Sequence, residues 1–443
     1  MFTPTHTFLT ESGGPVEKLM NATATAVQEG HFHGTVNTHL LDGGLVLYIG
    51  LLVLFVWRFL FSWRCCGRWL QYANYCSLLL LLLMTMMGYD LYMFIRAALS
   101  KSGKSQWEEM PSWLRPFILC APAISVLTFC MASFQTFQHV EKIKDDSAVL
   151  RHDRAVQIIL LPLVYCTTAM TSLSRLYKVI IAPEVEEEES QLQLLKAETC
   201  IMVGDLYEAW ALYQFGKLTL ELIESSIAKQ GLSEREEERA AARALMVAHT
   251  AVESLAWVGI LSFLVVCVLQ SGWSLWILTF IPADTQVSAY AEASEQFTAA
   301  GFLASCAAIY NVFIVESTFH HFLAAYSPWL KFLTVKFLVS FAYCQRIFFD
   351  CCQIAQESYI PGLQYIPVIG EIIMFDDVKF ELFYACLLIF ECFIVSLMHL
   401  WAWRVSEEWY DEAEYDRSKI DTENRDILDR GSAAPSTSYG SFH

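Results

Sequence analysis

The sequence predicts an all-α, polytopic membrane protein, and three observations predict it. Hydrophobic residues make up 55% of the 443-residue chain and charged residues only 17%, a balance that makes lipid the solvent. The apolar residues gather in runs long enough for a helix to cross about 30 Å of hydrocarbon. The connecting segments are also asymmetric in charge. Arg64 with Arg68, Lys142 with Arg151 and Arg154, Lys229 with Arg235, and Lys331 fall on one side, whereas segments 270–296 and 351–377 hold no Lys or Arg. By the positive-inside rule the basic side is cytosolic, which places the N-terminus extracytosolic and the C-terminus in the cytosol. The outer loop 99–115, with Lys101, Lys104 and Arg115, is the one dissent.

Residues 1–41 are polar and lack a basic stretch followed by an apolar core, so no cleavable signal peptide is expected. They carry Asn21-Ala22-Thr23, a glycosylation acceptor on the extracytosolic side. Residues 42–115 form a two-helix hairpin: a first span over Gly43–Phe61 and a second over Cys76–Ala98, the latter burying Asp90. Cys65 and Cys66, just past the first helix, are candidates for S-palmitoylation.

Seven further spans follow, over Phe117–Gln138, Ala155–Ile181, Cys200–Ala228, Thr250–Leu269, Phe297–Phe322, Leu330–Phe349 and Val378–Trp403. The third of these is the least hydrophobic. Asp205, Glu208, Gln214, Lys217 and Glu221 recur along it at helical spacing, so an amphipathic helix lying on the membrane is the alternative. Ser233-Glu234-Arg235-Glu236 reads as a capping box opening a helix that continues into the fourth. Segment 271–296, with Trp273, Trp276 and Tyr290, reads as a loop on the outer interface. Pro328 must separate the fifth and sixth, because it lacks an amide proton and pushes Ser327 out of helical geometry.

The net charge of −18 is concentrated: five glutamates lie in 184–189, and the 405–443 tail is acidic and reads as solvated. That pattern excludes nucleic acid as a partner and docking on anionic lipid. The 14 cysteines show no zinc spacing; those within spans read as small buried hydrophobes. His139, His249, His320, His321 and His399 all fall near cytosolic helix ends. A metal would need three of them to converge, and no metal or other cofactor is expected. Walker A, G-x-S-x-G, H-E-x-x-H and kinase motifs are absent, so neither an ATP-driven pump nor an enzyme is expected.

Polar side chains sunk in apolar helices are costly and usually face a bundle interior or cavity. By that criterion the candidate pathway residues are Asp205, Glu208, Asn311, Glu316, Lys336, Gln345 and Glu391. They form either a polar path for a solute or a network that holds helices together.

Two blocks carry a family resemblance. One comprises Ile309-Tyr310-Asn311, Tyr326-Ser327-Pro328-x-Leu330-Lys331-Phe332, Val335-Lys336 and Gln345; the other is Asp205-x-Tyr207-Glu208-Ala209-x-x-x-Tyr213-x-Phe215. Together with Gln135, His139 and Pro162 in order, they resemble the organic solute transporter alpha-subunit / transmembrane protein 184 superfamily, closer to the latter branch. The resemblance covers about residues 116–404. It implies a seven-transmembrane-helix bundle behind the two-helix N-terminal hairpin. It also implies ATP-independent, facilitative transport of amphipathic organic anions, steroids or lipids, with membrane lipids and in some relatives a single-span beta-type subunit as partners. The other role in the family is a non-transporting scaffold, receptor or trafficking subunit of a larger assembly. Relatives carry a cysteine cluster after the third family helix that this chain lacks.

Overall fold

A computed structural model of the chain describes residues 43–62, 75–100, 106–143, 149–182, 187–231, 235–281, 283–323, 326–336, 345, 347–349, 351–352 and 365–410. Regular structure among them is helical: α1 Gly43–Ser62, α2 Tyr75–Leu99, α3 Leu114–Ile143, α4 Val149–Ile159, α5 Leu161–Ile181, α6 Glu187–Gly231, α7 Glu236–Phe280, α8 Ala283–Leu323, α9 residues 328–336, and α10 Asp377–Ala402. Asn21, Cys65, Cys66 and the tail beyond Tyr410 lie outside the described residues. Among the described residues, six stretches are long and apolar enough to cross a bilayer: Ser77–Leu99, Leu114–Lys142, Arg151–Ile181, Glu236–Phe280, Ala299–Leu323 and Asp377–Ala402. This is a multi-pass membrane protein. The first expected span contributes a shorter apolar stretch, Gly43–Val56, and the charge-bearing α6 is not among the six.

Helix α5 is the spine. Nearly all its side chains are buried, and it packs on α10, α6 and α2. The expected span lies within the single apolar stretch Arg151–Ile181, with a short break at Leu160 between α4 and α5. Pro162 sits in the first turn of α5, where a missing N–H is best tolerated. The break before α9 follows expectation: Ser327, ahead of Pro328, has φ +50°, outside helical geometry.

Two expectations need correcting. The outer loop over 271–296 is not a separate interfacial segment. Helix α7 runs 45 residues to Phe280, and α8 restarts at Ala283 and runs 41. Pro282 falls between them in the sequence and lies outside the described residues; proline cannot continue a helix. Tyr290 is buried with Leu195, Ile277 and Leu278, so apolar contact between helices holds this end, while Trp276 stays exposed. The start of α7 also lacks a side-chain cap: Arg235 precedes it, and Ser233 and Glu234 lie outside the described residues. Glu236, Glu237 and Glu238 in its first turn suit the helix dipole instead.

The alternative of α6 lying on the surface also fails. Its segment from Val203 to Ile227 buries most of its apolar side chains in the main core and packs on α7, α5, α8 and α4. Its polar residues are tolerated inside because they find partners there.

Candidate functional site

The centre of the bundle holds one fully enclosed ion pair. Lys336 of α9 lies with its Nζ 2.8 Å from Glu208 Oε1 of α6, at side-chain exposures of 6% and 0%. The ammonium also donates to Ser305 Oγ of α8 at 3.3 Å and sits 4.8 Å from the centroid of the Phe263 ring of α7. Four helices therefore meet at one charge. One turn back on α6, Asp205 Oδ1 accepts from Tyr165 OH of α5 at 2.5 Å. Glu208 Oε2 has no hydrogen-bond partner among the described residues. An unpartnered carboxylate oxygen in a buried site is costly, and it is the natural place for a further polar group to bind.

Two turns further along α6 and α8, and one turn back along α9, lies a narrow apolar cleft walled by these three helices. Phe215, Val312, Phe313, Trp329 and Phe332 form its sides, and Glu316 lies at its edge. The spacing ties the two features together. Glu208 and Phe215 are two turns apart on α6, Ser305 and Val312 are two turns apart on α8, and Phe332 and Lys336 are one turn apart on α9. Residues at those intervals share a helix face. The same three faces that converge on the ion pair thus continue into the cleft.

The remaining predicted residues do not join that centre. Asn311 Nδ2 donates 2.8 Å to the Leu255 carbonyl of α7, and a Cβ on Gly259 would stand only 2.4 Å from it. This amide pins α8 against α7. Glu316 accepts from His320 Nδ1 one turn on, at 2.9 Å. Gln345 Nε2 donates to Glu391 Oε1 at 2.6 Å, a separate contact joining the segment after α9 to α10. Among the described residues no three His, Cys, Asp or Glu side chains gather as a metal site would require. Cys166, Cys267, Cys386 and Cys392 are buried as expected, whereas Cys120, Cys130 and Cys306 face outward.

Sequence reasoning missed a second cluster, in ring contact with the cleft residue Phe215. After α10, residues 403–410 fold back as a strap ending in the short 3-10 turn Glu408–Tyr410. Lys331, counted from sequence as a loop charge, is 1% exposed there and salt-bridged to Glu407 Oε2 at 2.7 Å. It also donates 2.7 Å to the Tyr326 carbonyl. The rings of Tyr326, Trp403 and Trp409 lie 4.6, 5.6 and 5.5 Å from its Nζ. On the opposite side, Gln135 and His139 of α3 contact the Trp403 carbonyl, and Arg151 of α4 donates to that of Trp409. Tyr410 stacks on His152 at 4.2 Å, and His139 and His152 share a hydrogen bond between their Nδ1 atoms at 2.9 Å. Burial pushes the Tyr326 and Tyr410 phenols well above the ordinary value. The available signal was the crowding of Trp401, Trp403, Trp409 and Tyr410 just before the acidic tail.

The sequence profile of the organic solute transporter Ostalpha family matches residues 117–408. The chain belongs to the organic solute transporter Ostalpha family. Membership points to membrane solute transport. No curated protein and no solved structure matches the chain. The Ostalpha region opens three residues into α3 and closes within the strap, so the ion pair, the cleft and all of the Lys331 cage but Trp409 fall inside it. Helices α1 and α2 fall before it.

Proposed function

We propose that this Ostalpha chain equilibrates amphipathic organic solutes (steroid conjugates, other organic anions or lipid-like molecules) across its membrane without ATP. One observation carries this reading: the faces of α6, α8 and α9 that form the buried Lys336–Glu208 pair continue into an aromatic-walled cleft. A flat apolar body suits the surfaces of Phe215, Phe313 and Phe332. An anionic head suits the Lys336 ammonium, replacing Glu208 as its partner. In this scheme Asp205, Glu208 and Lys336 are the polar core of the path, and Glu316 lies at its edge. Asn311 acts by holding α8 in place, and Gln345 with Glu391 by holding α10.

The same reading takes seven spans in the family region, α6 and the segment 330–349 included, behind a hairpin of α1 and α2. It takes the N-terminus as extracytosolic, Asn21 as glycosylated, Cys65 and Cys66 as lipid-modified, and residues 405–443 as a cytosolic tail. Membrane lipids and a single-span beta-type subunit or larger membrane complex are its partners. The second reading, a non-transporting scaffold of the transmembrane protein 184 type, is favoured by the Asn311–Leu255 and Gln345–Glu391 contacts, which join helices and face no cleft residue. The test is flux of a labelled steroid sulfate into proteoliposomes without nucleotide. The transporter reading expects downhill uptake that is lost in Lys336→Ala and in Glu208→Gln. Uptake no faster than in empty liposomes, from protein that remains folded, favours the scaffold.

A further inference from the structure

The strap is joined to the cleft through one ring. Phe215, a cleft wall, meets Trp403 edge-on at a centroid distance of 6.3 Å and lies 6.5 Å from Tyr326 and 6.1 Å from Phe332. Trp403 and Tyr326 are in turn two sides of the cage around Lys331. The cage is completed by Trp409, whose indole also donates to Glu407. Trp403 is further tied to α9 by its indole N–H on Thr334 Oγ1 at 3.3 Å. An object that displaced Phe215 would therefore press on the rings that seat the strap.

The anchoring is uneven. Backbone carbonyls of the strap are gripped by Gln135, His139 and Arg151 from α3 and α4. On the α9 side the grip is side chain to side chain: one ammonium, one carboxylate and three rings. The carboxylate, Glu407, is 23% exposed, so water can take its place when the contact breaks. Lys331 itself is 1% exposed and Trp403 and Trp409 are buried, so opening this contact exposes rings as well as the ammonium. Unlike the Lys336–Glu208 pair, though, it has one partner already in reach of water. The strap is thus held through its backbone on α3 and α4 and through side chains alone on α9.

We propose that residues 403–410 form a gate over one end of the cleft, latched by Lys331 on Glu407 and released by movement of Phe215. This rests on the cleft being the solute's path, and it names how that path is regulated. Release swings Trp403 and Trp409 away from Phe215 and Tyr326 and opens the cleft to water at that end. Closure restores the cage.

The test needs no solute. Val312→Cys is introduced at the cleft wall, and its reaction with a hydrophilic methanethiosulfonate is followed by mass spectrometry in lipid nanodiscs. Added Glu407→Gln or Trp409→Ala should raise the rate at Val312→Cys by about tenfold, the scale of a local opening. Glu407→Asp should restore the slow rate. Trp113→Ala is the control for general loosening, because Trp113 packs on Phe375 and Phe383 away from the strap; it should leave the rate unchanged at a comparable loss of melting temperature. Unchanged rates in both latch variants, or an equal rise in the control, overturn the gate. Steroid sulfate flux is read separately. A raised thiol rate without flux sinks the transport reading and leaves the gate standing, and flux with latch-independent thiol rates does the reverse.

Discussion

Two lysines five residues apart on α9 solve the same problem in opposite ways. Lys336 is enclosed by four helices, with one carboxylate, one hydroxyl and one ring around it. Lys331 is equally hidden, but by three rings and a strap that ends in a half-wet carboxylate. The first site rehydrates only if helices separate, as the proposed passage of a solute requires. The second, in the proposed gate, rehydrates by lifting eight residues. Burial alone therefore says little about how firmly a charge is held; what matters is how much structure must move before water reaches it.

The largest effect that would break this contrast comes from the centre. Lys336→Ala should cost about 3–5 kcal/mol of stability, since it leaves Glu208 charged and alone in the core. The double variant Lys336→Met with Glu208→Leu should recover most of that loss in detergent unfolding, because an apolar pair of similar volume needs no hydration. A double variant no better than the single one would mean the pair is not isolated. Next comes the packing beside it. Gly259→Ala should cost about 1–3 kcal/mol by driving a methyl into the Asn311 amide, and Asn311→Ala in the same chain should relieve it. If the two costs simply add, Asn311 is not the pin between α7 and α8.

The strap end should respond more gently. Glu407→Gln is expected to cost less stability than Lys336→Ala, because Glu407 is 23% exposed and Lys331 keeps the Tyr326 carbonyl, while amide exchange over 403–410 quickens. A loss as large as that of Lys336→Ala would erase the distinction between the two lysines. The smallest effect is on pH. The Tyr326 and Tyr410 phenols are held above the ordinary value by burial. Their contribution is whole below the unfolded phenol value of about 10 and declines as pH rises from there towards the folded values. Strap exchange should therefore accelerate only in alkali, and Tyr410→Phe should blunt that acceleration.

Much of this was legible before any coordinates. The apolar runs require helices, because lipid offers no partner for an unpaired amide. Pro328 required the break before α9, and the rarity of buried charge singled out Glu208 and Lys336. Other features were not legible. Trp273, Trp276 and Tyr290 suit an interface as well as a helix–helix contact, and only the long α7–α8 pairing distinguishes them. Asn311 and Gln345 were grouped with the central pair because sequence records depth along a helix but not which neighbour a face meets.

The sequence alone determined that the chain lives in lipid, that it is built of helices, and which charges must find partners, because those are properties of single segments and their solvent. Tertiary structure decided which partner each charge has. It joined Lys336 to Glu208 across 128 positions and Lys331 to Glu407 across 76, and it turned a seemingly solvated tail's first residues into a strap. Such pairings depend on how faces of distant helices are rotated against one another, and that rotation is set by the packing of all of them at once.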